Sequence, residues 1–149
     1  EYLDEMVDKV ARCGEGAAHA MGVEVEIKKN RFYASKKLNY PMVRTLWKNY
    51  KDLGAPVKDW KESVKAMPMA STDYGDVSQK ARAAGSYIGI APVGTPGHSI
   101  KLAESTMTQT GLDALNTGAK ALGMTLVELL AKPEILKEAK EFFDAPNYF

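Results

Sequence analysis

Cysteine and histidine are scarce in this sequence: among 149 residues there is one cysteine, Cys13, and there are two histidines, His19 and His98. A single cysteine excludes an intramolecular disulfide and a cysteine-rich zinc site. No apolar run approaches the roughly 18 residues of a transmembrane helix. The N-terminal EYLDEMVDKV carries acidic residues where a signal peptide carries basic ones. These absences favour a reducing compartment, and we expect the cytoplasm.

An excess of either charge is also missing. Lys and Arg total 20, Asp and Glu total 19, and the net charge is +1. Nucleic-acid arms and membrane-surface patches need a clear basic excess. We therefore expect neither a nucleic acid nor a membrane as a partner. The 45% of hydrophobic residues and the length of the chain are those of a globular protein with one substantial core.

Four segments have the apolar periodicity of helices. The spacing predicts helices over residues 2–21, from Pro41 to Gly54, over 108–131 and over 133–144. Thr108 or Thr110 is the expected N-cap of the third helix. The apolar side chains of that helix are expected to face the core: Leu112, Leu115, Ala119, Leu122, Leu126, Leu129 and Leu130.

Two further segments have the patterns of strands. Residues 23–29 (VEVEIKK) alternate apolar and polar side chains, which predicts a half-exposed strand. Residues 86–94 (SYIGIAPVG) are typical of a buried strand that runs into a Gly/Pro loop. With the helices, these strands predict an α/β fold with a mixed sheet flanked by helices. One helix and one strand bury too little to form a core, so we expect residues 1–37 to need a partner.

Two histidines and two aspartates are the candidates for chemistry. His98 lies in the Gly/Pro loop after the second predicted strand, where α/β folds place their sites and where imidazole serves as metal ligand or base. From the residues alone, a surface loop histidine is the favoured alternative. His19, between alanines, fits a partly exposed helix histidine. Asp73 and Asp76 in STDYGDVS (71–78) fit a cation site or a residue that orients a histidine, and equally a turn or cap.

Three motifs in order carry a family resemblance: STDYGDVS (71–78), VGTPGHS (93–99) and GAKALGMTLVELL (118–130). They resemble the amidohydrolase branch of the aminoacylase/carboxypeptidase-like metallopeptidases, peptidase family M-twenty, and within it the aminobenzoyl-glutamate hydrolase B-subunit group. The segment 7–27 with LNYPM (38–42) resembles the end of that family's lid domain and the return to its catalytic domain. The likeness extends over essentially the whole chain.

The resemblance implies a C-terminal portion of a two-domain enzyme. Residues 1–38 would be the last α–β unit of a ferredoxin-like lid and dimerisation domain. Residues 39–149 would be the rear part of a zinc-peptidase-like catalytic domain, with its mixed sheet flanked by helices. Full members are roughly two to three times as long as this chain. A homodimer or hetero-oligomer through the lid domain is also implied.

The resemblance further implies the site and its reaction. His98 matches a metal ligand of a centre that holds two divalent ions, zinc or manganese. Ser71, Thr72 and Asp73 match a supporting turn, and Asn39 matches an asparagine that touches substrate or fixes the hinge. No catalytic residue is assigned, because the general base belongs to the absent N-terminal half. The reaction would be hydrolysis of the amide bond of N-acyl or N-aroyl amino acids, or of dipeptides, by a metal-bound water.

The amount of metal-binding free energy limits what the chain can do alone. A complete zinc site is worth about 10–16 kcal/mol, so one ligand of four supplies roughly 3–4 kcal/mol, which is a millimolar affinity. We therefore expect the isolated chain to be inactive. The alternative hypothesis is a non-catalytic, truncated module that acts in binding or self-association.

Overall fold

The computed structural model describes residues 2–30, 32–65 and 71–145, with the backbone alone for 63–65. By its contacts the chain divides into two compact units, Glu1–Phe32 and Tyr33–Phe149. The described elements are all helices: α1 Tyr2–Met21, α2 Tyr40–Asp52, α3 Trp60–Lys65, α4 Tyr74–Lys80, α5 Ile100–Ser105, α6 Gln109–Ala131 and α7 Pro133–Asp144.

The first unit is built on α1, as the apolar period predicted. The helix ends in a Schellman motif, in which the Val23 amide donates to the Ala18 carbonyl and the Gly22 amide to that of His19. Gly22 has a φ of 65°, a conformation in which glycine has no Cβ to strain. The chain then returns along α1, where Lys29 Nζ lies 2.6 Å from Asp8 Oδ1.

The second unit has its core where α2 packs on α6 and α7. Leu46, Tyr50 and Ala121 form the buried cluster, and Leu53, Ala55 and Val57 pack against it. Predicted helices are confirmed here at α2, α6 and α7. Pro133 opens α7 at its first position, and Thr108 caps α6 by accepting a hydrogen bond from the Gly111 amide at 3.1 Å.

The α/β prediction is wrong for the part of the chain that the structure describes, which contains helices and no strand. Residues 23–29, expected to be a strand, have no regular structure, and Val23, Val25 and Ile27 are exposed. Residues 86–94, expected to be a buried strand that runs into a loop, likewise contain no strand, and Tyr87 and Ile88 are exposed. An alternating pattern becomes a strand only where another strand pairs with its amides and carbonyls, and the described residues offer neither segment such a neighbour. Neither the mixed sheet nor the ferredoxin-like α–β unit is therefore found.

The inward orientation predicted for the α6 leucines is also wrong. The side chains that α6 buries are small ones at three- and four-residue spacing: Gly111, Ala114, Ala121 and Thr125. Five leucines instead form an exposed face, here called the leucine face, and are between 41% and 73% exposed: Leu112, Leu115, Leu122, Leu126 and Leu130. The periodicity indicates that both faces of α6 are apolar. The face with the smaller side chains packs against α2, because small side chains let the two helix backbones approach closely.

No helix in the described part of the chain is long and apolar enough to cross a bilayer.

Candidate functional site

An apolar groove of about 940 Å³ lies beside α2 in the second unit. Its walls come from α2, the N-terminal half of α6, Trp60 at the start of α3 and the irregular segments 53–58 and 85–89. Four aromatic side chains contribute to the lining: Trp47, Tyr50, Trp60 and Tyr87. Trp47 is fixed in the wall because its indole N–H donates to the Lys58 carbonyl at 2.6 Å. Such a lining suits an apolar or aromatic group.

The groove lining was not predicted as a site from the sequence. One of its aromatic residues, Tyr50, also belongs to the buried core cluster. The sequence contained one indication of the groove, the helix-breaking residues Gly54 and Pro56. They turn the chain back after α2, so that Trp47 and Trp60 lie on either side of a bend. Gly54 has a φ of 74°, so the reversal requires a glycine conformation.

His98 lies in the loop that joins segment 85–90 to α5, as predicted, and its side chain is exposed. It has a φ of 53°, and it is the non-glycine residue with a positive φ in the described part of the chain. The loop is held by local bonds: Thr95 Oγ1 donates to the Pro92 carbonyl and Ser99 Oγ to the Pro96 carbonyl, both at 2.8 Å. Ser99 also caps α5 by accepting from the Leu102 amide at 3.1 Å. The loop therefore holds His98 in a left-handed turn with its imidazole toward solvent.

Ser71, Thr72 and Asp73 lead into α4, so the STDYGDVS segment is the start of a helix and not only a turn. Thr72 Oγ1 accepts from the Tyr74 amide at 3.3 Å, and Asp73 occupies the N-cap position without a side-chain cap bond. Burial raises the pKa of Tyr74, and its hydroxyl has no hydrogen-bond partner among the described residues. The supporting role of Ser71, Thr72 and Asp73 stays a prediction.

Asn39 is 1% exposed and is the N-cap of α2. Its Oδ1 accepts from the Met42 amide at 3.3 Å, and its Nδ2 donates to the Ala139 carbonyl in α7 at 2.8 Å. Both ends of the amide are thus used inside the second unit, where they join the start of α2 to α7.

The described contacts do not bring the predicted site residues together. Among the residues described, no hydrogen bond or ion pair joins His98 to Asn39 or to residues 71–73, and none of these residues lines the apolar groove. A metal centre needs three or more donors, and the described part of the chain holds no group of three His, Cys, Asp or Glu side chains arranged for one. His98 is therefore a single donor, and these residues do not form a complete metal site.

Apart from Asp76, residues 75–79 of α4 were not predicted as functional, although they make contacts with the segment that precedes α2. Ser78 is fully buried, and its Oγ accepts from the Lys37 amide at 2.8 Å. The two residues are 41 positions apart in sequence. No local pattern reports such a contact, although Gly75 and Ser78 in the middle of a short helix are a weak signal of close packing.

Comparison with known proteins gives one distant relationship. Over 144 residues the chain is 31% identical to a human Xaa-Arg dipeptidase, and the alignment covers 95% of this chain and 32% of the dipeptidase. No family model matches the chain, and no solved structure matches it. The chain thus spans about a third of the length of that enzyme. The chain is therefore a distant relative of a peptidase, and the similarity extends over about a third of that peptidase's length.

Proposed function

We propose that this chain is the C-terminal portion of a hydrolase that cleaves the amide bond of N-acyl or N-aroyl amino acids, or of dipeptides. The observation that carries the proposal is the 31% identity to a dipeptidase along 95% of the chain. The order of the motifs STDYGDVS, VGTPGHS and GAKALGMTLVELL agrees with it. The chain matches only a third of that enzyme, so the activity of the whole protein is part of the proposal.

In this proposal His98 is one ligand of a two-metal centre, and the other ligands and the general base come from residues outside this chain. Two divalent ions, zinc or manganese, would activate the attacking water and polarise the scissile carbonyl. The exposure of His98 in its left-handed turn supports the assignment, because an exposed side chain can meet ligands that come from other residues. The buried amide of Asn39 favours the second of its two expected roles, fixing the chain at the return to the second unit, over contact with substrate.

The proposal keeps three further expectations. Residues 1–38 would mediate a homodimer or hetero-oligomer, residues 71–73 would support the centre, and the protein would act in the cytoplasm. The isolated chain should be inactive, because a single histidine provides roughly 3–4 kcal/mol of zinc binding. Titration calorimetry of the chain with zinc should therefore detect no site tighter than about 1 mM.

The test uses the protein expressed from the gene's own start codon, after its intact mass has been measured. We expect His98→Ala to lose most of the amide hydrolysis and one equivalent of metal. His19→Ala is the matched control, because His19 is an exposed residue of α1, and it should lose neither. A His98→Ala protein with full turnover and two metals bound would remove the assignment of His98. An inactive wild-type protein with a mass of 16.3 kDa would remove the hydrolase itself.

The leucine face favours a second candidate function, a module that self-associates. Five exposed leucines along one side of a 23-residue helix form a larger apolar surface than scattered leucines would. Sedimentation equilibrium distinguishes the candidates. Association that Leu122→Glu abolishes and Asn116→Glu preserves would support the module, since Asn116 is also exposed on α6 but lies outside the leucine face. A monomer at all concentrations would exclude it.

A further inference from the structure

We propose that Gly75, Asp76, Ser78 and Gln79 of α4 form a clasp that fixes the backbone of residues 34–37, so that the joint between the two units of the chain lies before Ala34. The inference concerns how the chain moves, and it does not depend on the hydrolase proposal.

Three side chains of α4 hold the backbone of this segment. Asp76 Oδ1 accepts from the Ala34 amide at 3.1 Å, and Ser78 Oγ accepts from the Lys37 amide at 2.8 Å. Gln79 Nε2 donates to the Ser35 carbonyl at 2.7 Å. Donors and acceptors of three residues in a four-residue stretch are thus satisfied by one short helix. Irregular backbone held in this way has a defined path, because each of these polar groups has a partner.

Gly75 allows the close approach on which the clasp depends. The residue is buried, and a Cβ built on it would lie 1.8 Å from the Ala34 carbonyl oxygen, a separation that no side chain tolerates. Ser78 completes the contact, since its hydroxyl donates to the Gly75 carbonyl at 2.7 Å while it accepts from Lys37. Ser78 is 0% exposed, so water cannot replace either bond.

The clasp begins where the division between the units ends. The units divide between Phe32 and Tyr33, and Ala34 is the first residue that α4 binds. In contrast, the backbone amides of residues 24–30 have no hydrogen-bond partner among the described residues. Hinges form where the backbone can change φ and ψ without breaking such bonds. Residues 34–37 therefore belong to the rigid body of the second unit.

The wild-type chain provides the first test. On the ¹⁵N-labelled protein we expect the amides of Ala34 and Lys37 to exchange at least about tenfold more slowly than those of residues 24–30, the effect of one hydrogen bond. The backbone heteronuclear NOE should increase along the chain from residues 24–30 and reach, at Ala34, the value measured for the residues of α2. If residues 34–37 exchange and relax like residues 24–30, the clasp does not exist.

Variants provide the second test. Ser78→Ala should speed exchange of the Lys37 amide by about tenfold and leave the amides of α6 unchanged. Gly75→Ala should release the whole stretch 34–37, and Gly123→Ala in α6 is its matched control, because a Cβ there meets nothing within 4 Å. Should Gly75→Ala fail to fold, Ser78→Ala and Gln79→Ala decide the question. Unchanged protection of residues 34–37 in both of these variants would overturn the proposal.

Discussion

The buried side chain of Asn39 forms hydrogen bonds with two helices, α2 and α7. Replacing it with alanine removes the cap of the Met42 amide and the bond to the Ala139 carbonyl. We expect Asn39→Ala to lower the free energy of unfolding by about 2–3 kcal/mol, the sum of a lost cap and a lost buried hydrogen bond. Denaturant unfolding measures the loss. Asn116→Ala, at an exposed position of α6, should stay within about 0.5 kcal/mol of wild type. An Asn39→Ala protein of normal stability would assign the residue to substrate contact instead.

Asp8 and Lys29 set a pH dependence in the first unit. The hydrogen bond from Lys29 and its positive charge hold the pKa of the Asp8 carboxyl below its ordinary value. The folded-state pKa is lowered, so the pair stabilises the unit at pH values above the unfolded-state pKa. The contribution is lost as the pH falls through the lower, folded-state value.

Carboxyl titration by NMR checks this pH dependence. Lys29→Ala should return the Asp8 pKa toward its ordinary value, whereas Lys28→Ala, whose amine pairs with Glu26 at 3.2 Å, should leave it low. An Asp8 pKa that is unaffected by Lys29→Ala would show that the ion pair does not form in solution.

At the scale of the element, α6 packs through its small side chains. Ala121 is 0% exposed and lies in the cluster with Leu46 and Tyr50, whereas Leu122 belongs to the exposed leucine face. We expect Ala121→Leu to cost about 1–3 kcal/mol by forcing α2 and α6 apart. Leu122→Ala should cost less than about 1 kcal/mol, because it removes little buried area. Thermal and denaturant unfolding of both variants give the comparison. The reverse order would mean that the leucines face the core, as their period first suggested.

The helices show what the sequence alone can predict. At α1, α2, α6 and α7 the period, the caps and the prolines all lie within the helix or beside it, so a local pattern is sufficient. The strands at 23–29 and 86–94 were predicted wrongly, because strand formation depends on a neighbour that no local pattern specifies. The choice between the two apolar faces of α6 likewise depends on α2, which lies far away in sequence.

For the candidate site, too, local features could be predicted from the sequence and long-range contacts could not. The loop position of His98 follows from the Gly/Pro composition around it. The cap role of Asn39 was not predicted, although Pro41 marks the start of α2 beside it. The contacts of residues 75–79 with 34–37 span about 40 positions in the sequence, and only the fold brings them together. The apolar groove is equally a product of tertiary packing.

At the scale of the whole molecule, the two units differ in how much they bury. In the first unit the buried hydrophobic side chains among the described residues are Ala11 and Ala18, whereas the second unit has a cluster shared by α2 and α6. A 20-residue helix with so little packing is marginal in water. We therefore expect the amides of α1 to open with a free energy below about half that of α2, well under the 5–15 kcal/mol of global unfolding. Native-state hydrogen exchange measures both, and equal protection of α1 and α2 would show that the units unfold as one.

The two faces of α6 restrict amino-acid substitutions in homologues of this sequence differently. Gly111 cannot gain even a methyl group, since a Cβ there would lie 2.3 Å from the Ser105 carbonyl oxygen, and Ala121 has no room to grow. Selection should therefore keep glycine at position 111 and permit only small residues at the other buried positions of this face, whatever the helix does for function. The leucine face has no such steric limit within the described fold. In a set of homologues, leucines that drift to polar residues as freely as Asn116 would mark a bare surface. If the leucines are retained while Asn116 varies, the substitution pattern would indicate that another polypeptide covers the leucine face in these homologues.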